Sequence, residues 1–278
     1  MKSVVAETID ILRERSPISF DDTRIADIVI GIFFTGVKLS SGHAGVAFTP
    51  AADIPEAVCC PTSAARMPQA GKLEGKSVNE IIDYALDPNV LKSAIGVATL
   101  NAVSHAILDS PRGGDVPVIK DADGFDLLDI QPNEKVSLVG AFVPYIRRLK
   151  QMGNTFFIIE RNPMTLRADE MAQYRNETQL GQTVAESDVL IMTGTAIVNH
   201  TIDSILSALG QGQRSAIIGP TASMVPDAFF GRAVDVLAGI RLTDADLMIK
   251  ILKQGGSAYH LLHQCSEKIA FRRVSAAS

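Results

Sequence analysis

The sequence predicts an α/β chain in two blocks, a small α+β domain followed by a larger parallel sheet with helices on both faces. Three observations carry this. In the second half, five short and nearly continuous apolar runs alternate with helical patterns. Near the N-terminus, three β-rich runs are separated only by TG and SSG. Between the two halves, residues 111–133 are rich in Gly, Pro and Asp. The division that follows is a domain at 1–112, a linker at 113–134 and a domain at 135–278.

In chain order, the first block opens with a helix at 4–13, and RIADIVIGIFFTGVKLSSGHAGVAFTP then supplies an antiparallel meander. Pro50, Pro55, Pro61 and Pro68 mark an irregular connection. Ser77 with Glu80 forms a capping box, and Asp87 followed by Pro88 reads as the cap and first position of a long helix. Val90, Leu91, Ala94, Ala98, Ala102 and Ile107 recur at helical spacing, so this helix packs on the small sheet. DADGFDLL in the linker invites a calcium reading, but the further ligands and closing Glu of such a loop are missing. It reads as a solvated turn.

Strands of the second block are expected at 136–139, 156–159, 189–192, 216–218 and 234–237, a Rossmann-like alternation. A length of 278 residues suits two domains, each burying its own core. With 46% hydrophobic and 21% charged residues and a net charge of −5, nothing electrostatic favours nucleic acid or an anionic membrane as partner. The most hydrophobic run, IVIGIFF, falls far short of the roughly 20 residues that span a bilayer, and no leader pattern is seen. A soluble, cytoplasmic protein is expected. Cys59, Cys60 and Cys265 lack zinc or disulfide spacing and read as free thiols of a reducing compartment.

Ligands of such sheets bind at the carboxyl ends of the strands, near the point where the winding reverses. The stretch KVSLVGAFVPYIRRLKQMGNTFFIIERNP is half of a dinucleotide fingerprint: Gly140 stands where three glycines are required, and Glu160 follows at ribose-gripping distance. The loops GAFVP, ERNP, TGTAIVNHT and GPTASMVP nominate Gly140, Phe142, Glu160, Asn162, Thr193, Gly194, Thr195, Asn199, Gly219, Pro220, Thr221 and Ser223 as ligand contacts. Capping and turn chemistry explain any one of these loops equally well; four at one sheet edge favour a site. On the meander, His43 and Lys38 are the candidate catalytic groups, with Ser41 and Gly42 as ligand contacts, provided the hairpin faces the second block. His260, His263 and Cys265 are metal candidates by spacing, although half-exposed histidines on a C-terminal helix are the plainer reading. Serine-elbow, Walker and zinc-protease motifs are absent.

VGAFVPYIRRL, IIERNP, ESDVLIMTGTAIVNHTIDSIL, IIGPTASMVPDAFFGRAVDVLAGIRLTD and ILKQGG together resemble the Rossmann-like domain named the putative heavy-metal chelation domain. GVKLSSGHAGVAFTP, GKLEGKSVNEIIDYAL and SAIGVATLNAV resemble its usual partner, a small domain with an enolase N-terminal-like fold. The resemblance covers nearly the whole chain. It implies a site in the cleft between the domains, where a small polar or heteroaromatic metal-chelating molecule, pterin-, flavin- or siderophore-like, is bound or transformed by condensation or hydrolysis. A divalent heavy metal or a metal chelate is the cofactor class it implies. The sheet also resembles that of Rossmann-like methyltransferases, without their glycine-rich first loop. The alternatives are a non-catalytic metal or metal-chelate binder and a nucleotide or S-adenosylmethionine binder. A small molecule is the expected partner and a homodimer the expected assembly.

Overall fold

A computed structural model describes residues 2–51, 69–111 and 117–274; Cys59, Cys60 and most of the proline-marked connection lie outside these residues. Helix α1 (Val4–Arg15) starts where Ser3 Oγ accepts the Ala6 N–H and Asp203 accepts the Val4 N–H. Strands β1 (Ile25–Ile30), β2 (Phe34–Leu39) and β3 (Ala44–Phe48) form the antiparallel meander in that order. The expected capping box opens α2 (Val78–Ile81), and its hydrogen bonds hold the Glu80 carboxyl below the usual range. A 3-10 turn, Ile82–Leu86, leads to α3 (Val90–Leu108). Asn89, not Asp87, caps this helix, because its Oδ1 reaches both the Leu91 and Lys92 N–H groups. Asp87 is instead taken by the Lys92 ammonium at 2.9 Å, which lowers its pKa.

The second block contains β4 (Ile119–Lys120), α4 (Gly124–Leu127), β5 (Val136–Val139), α5 (Val143–Met152), β6 (Phe156–Ile159) and β7 (Tyr174–Arg175). It continues with α6 (Leu180–Ala185), β8 (Val189–Thr193), α7 (Thr195–Val198), α8 (Ile202–Leu206), β9 (Arg214–Ile218) and α9 (Asp227–Phe230). The last elements are β10 (Val236–Leu242), α10 (Ala245–Lys253), α11 (Ala258–Gln264) and β11 (Ser266–Arg272). The sheet order is β4-β11-β10-β9-β8-β5-β6-β7, with β10 through β7 parallel and β11 and β4 antiparallel at one edge. From β5 the chain winds outward to β7, then returns to β8 and winds the other way. The reversal falls between β5 and β8.

Four of the five expected strands stand in place, while the last moves from 234–237 to Val236–Leu242. Strands β4, β7 and β11 were not expected; the first two are only two residues long, too short for an alternation to register. DADGFDLL is no solvated turn. Asp123 caps α4 through the Phe125 N–H and accepts the Tyr145 hydroxyl at 2.7 Å, and Phe125 and Leu128 are buried. Burial alone would raise the Asp123 pKa, but the bonds from Tyr145, Phe125 and Lys268 outweigh it and lower it.

The small sheet has two faces to cover, and it uses both halves of the chain to do so. Gly45 on β3 lies against Ala98 and Ala102 of α3, whereas Gly36 on β2 lies against Met248 and Leu252 of α10. Helix α3 is therefore buried on every side rather than amphipathic. One hydrophobic cluster joins Val37 and Leu39 of the small sheet, Ile95 and Leu100 of α3, and Ile217 and Phe271 of the large sheet. At this helix one cluster spans residues of both blocks. Its 19 residues and mean hydropathy of 1.3 would suit a membrane span by length and composition, but 89% of the span is buried inside the fold.

Candidate functional site

At the reversal point the turns after β5, β6, β8 and β9 meet. Gly140 ends β5 at φ +102, a conformation that L side chains rarely adopt, and a Cβ there would stand 3.1 Å from Thr193 Cγ2. The Thr193 hydroxyl accepts the Thr195 N–H at 3.3 Å and donates to Thr195 Oγ1 at 3.0 Å, which leaves the Thr195 proton for an outside acceptor. Gly194 packs against Ala222 and Thr221, bringing the β8 and β9 turns together, and Gly219 follows β9 at φ +131. Glu160 closes the group: one carboxylate oxygen accepts the Ala141 N–H at 3.1 Å, the other the Arg161 and Asn162 N–H groups at 2.8 and 3.2 Å. Asn162 caps the next turn by accepting the Met164 N–H. Phe142 stacks on Tyr145 at 5.3 Å, and burial drives the tyrosine pKa far up, so the phenol stays protonated.

Three expected contacts are internal joinery instead. Thr221, 2% exposed, accepts the Phe48 N–H at 3.0 Å. Ser223, 1% exposed, donates to Pro220 O and accepts the Ile240 N–H. Asn199 Oδ1 accepts the Thr201 hydroxyl at 2.7 Å and its N–H at 3.3 Å, closing α7. Thr221 and Ser223 each satisfy a backbone group that the fold would otherwise leave unpaired.

The His43 hairpin does not join this site. The end of β3 that touches the β9 turn is Phe48, and the strand between places His43 about 16 Å away along the chain. At the hairpin tip, where Gly42 has φ +88, Ser41 Oγ lies 3.0 Å from His43 Nδ1, and His43 Nε2 lies 3.6 Å from Asp109. That order of groups mimics a nucleophile, base and acid, but 3.6 Å is beyond a hydrogen bond and Asp109 is paired with Arg241. Arg241 continues through Glu267 to Lys120, so the charge chain runs from the end of α3 to the antiparallel edge of the large sheet. Lys38 is paired with Asp246 of α10 at 2.5 Å.

The C-terminal metal candidates also separate. His260 Nδ1 accepts the Ser257 N–H, His263 leans on Tyr259, and both are exposed. Cys265 is buried, and burial pushes its thiol up to about 11. Among the described residues no group of three or more His, Cys, Asp or Glu could hold a metal ion. At the reversal point, Glu160 has both oxygens on N–H donors and the neighbours are hydroxyls, a set without imidazole or thiolate. These residues do not fit a directly bound heavy metal.

Sequence reading missed Asn101 and His105, both buried in α3. Asn101 Nδ2 donates to Val46 O at 2.8 Å and Thr221 O at 3.0 Å, joining the meander to the β9 turn. His105 Nδ1 donates to Ala44 O at 2.9 Å, and desolvation lowers its pKa to about 4. An amide and an imidazole inside the apolar run SAIGVATLNAVSHAIL are the signal that could have found them.

Two family models match, both described as "Putative heavy-metal chelation": DUF364 over residues 123–271 and DUF4213 over residues 13–104. A protein of unknown function of the first family from Pyrococcus horikoshii superposes with a TM-score of 0.77 at 23% identity, over 98% of this chain and 100% of its own. Its counterpart from Desulfitobacterium hafniense gives 0.71 at 17%, over 96% and 98%. These two likenesses are of fold. An uncharacterised protein of Methanocaldococcus jannaschii is 27% identical over 184 residues, 66% of this chain and 67% of that one. With more than half of its length matched by one model and most of the remainder by its partner, the chain belongs to the DUF364 putative heavy-metal chelation family.

Proposed function

We propose that this Rossmann-like protein binds a small polar or heteroaromatic, metal-chelating molecule, pterin- or siderophore-like, at the reversal point of its large sheet. The observation that carries this is the meeting of Gly140, Thr193, Gly194, Thr195 and Gly219 at one sheet edge, where small residues admit a ligand and one hydroxyl proton is left to recognise it. The family description supports handling of a chelator, and the donor set supports a role through the organic molecule rather than through a metal ion held by side chains.

Native mass spectrometry and elemental analysis of the purified full chain test the reading. An organic mass retained one per chain, without stoichiometric metal, is the expected result. Thr195→Val keeps the shape, removes the donor and weakens retention by about tenfold, the worth of one hydrogen bond. A stoichiometric metal with no organic mass overturns the proposal in favour of a non-catalytic metal carrier.

A further inference from the structure

Sheets that bind dinucleotides grip the diphosphate with N–H groups of the turn after the first strand and of the helix start behind it. In this chain those donors are spent. Gly140 N–H donates to Ile159 O at 2.9 Å, and Ala141 N–H to Glu160 Oε2 at 3.1 Å. Phe142 N–H donates to Gly140 O at 3.0 Å, and Val143 N–H to Ala141 O at 3.0 Å. Pro144 has no N–H. Pro163 and Pro220 remove donors from the turns after β6 and β9 in the same way. The Glu160 carboxylate is fixed on Ala141, so negative charge stands where a phosphate would come.

We infer that the turn after β5 is closed to phosphate, and that the reversal point selects an unphosphorylated ligand whose recognised edge carries an acceptor for the Thr195 hydroxyl proton. This rests on the reversal point being the site. The chemistry then divides the candidate classes: the ring nitrogens and carbonyl of a pterin can accept the Thr195 proton without bringing a phosphate, whereas a flavin or nicotinamide nucleotide brings the anion that the turn refuses. Glu160 thereby acts as a specificity residue through the backbone, although it occupies the ribose-gripping position of a dinucleotide fold.

Backbone amide shifts of the full, isotope-labelled chain, titrated with inorganic pyrophosphate, ADP-ribose and unphosphorylated pterin at millimolar concentration, test the inference. Amides 140–143 are expected to stay in place with both phosphates. Glu160→Gln removes the charge, and pyrophosphate affinity is expected to rise about tenfold, with shifts at Ala141. Saturable shifts at 140–143 in the unsubstituted chain overturn the inference, and an unchanged Glu160→Gln chain removes Glu160 from the account. Pterin shifting Thr193 to Thr195 supports ligand class and site together. Silence with pterin and with both phosphates withdraws the site while leaving the turn closed to phosphate.

Discussion

Within α3, His105 keeps one ring nitrogen on Ala44 O while the other, Nε2, is buried without a hydrogen-bond partner. Protonating it would bury a second N–H and a charge together, which is why desolvation holds the ring neutral down to about pH 4. The unfolded chain takes up this proton as pH falls through the ordinary histidine value of 6.5, whereas the folded chain does so only near 4. Stability is therefore unaffected above that window and is lost as pH falls through it, by about 3 kcal/mol in total. Urea unfolding at a series of pH values should show this loss, and His105→Gln should flatten it within the same window. An unchanged slope in the variant would assign the acid sensitivity to other groups.

At the level of elements, α3 works as a shared wall, and small residues set how closely its neighbours approach. A Cβ at Gly96 would stand 1.9 Å from Ala85 N, backbone that cannot swing aside. Gly96→Ala should cost about 3 kcal/mol or more in urea unfolding, despite the higher helix propensity of alanine. On the opposite side of the comparison stands Asn101, which bonds both Val46 O and Thr221 O. Asn101→Leu leaves two buried carbonyls unpaired and should destabilise by about 3 kcal/mol. A double-mutant cycle with Thr221→Val should show coupling, because both side chains fasten the β9 turn to β3. Strict additivity would mean that the two fastenings act separately.

Over the whole molecule, the two blocks are bound by one core and by ion pairs at their margins. Arg15 pairs with Asp227, Arg13 with Asp83, and Arg232 with Glu7, so two of these three pairs tie α1 to the second block. Such partly exposed pairs contribute little by themselves. The apolar faces of α3 and α10 contribute more, since each would be stripped if the halves were separated. Expressed apart, residues 2–111 and 117–274 should each lack a cooperative thermal transition by near-ultraviolet circular dichroism, while the full chain melts as one unit. A sharp independent transition in either fragment would restore the picture of two self-sufficient domains.

Sequence by itself determined the kinds of elements and most of their places: the meander, the capping box at Ser77 and Glu80, the apolar parallel strands, and the four loops at one sheet edge. These are legible because periodicity, caps and turn residues act over a few positions. It also placed Gly140, Thr193, Thr195 and Glu160 in turns that the fold brings together. What only the tertiary structure decided is the use of each polar group. Thr221 and Thr195 look alike in sequence, yet one is sealed against Phe48 and the other stays half-buried on Thr193. His43 stands between Gly42 and Gly45, which suit a mobile site, yet the strand that touches the β9 turn does so at Phe48, about 16 Å along the chain. The physical reason is that a polar side chain is committed by whichever backbone group would otherwise be buried unpaired, and that partner can lie far along the chain, as Phe48 lies 173 positions from Thr221.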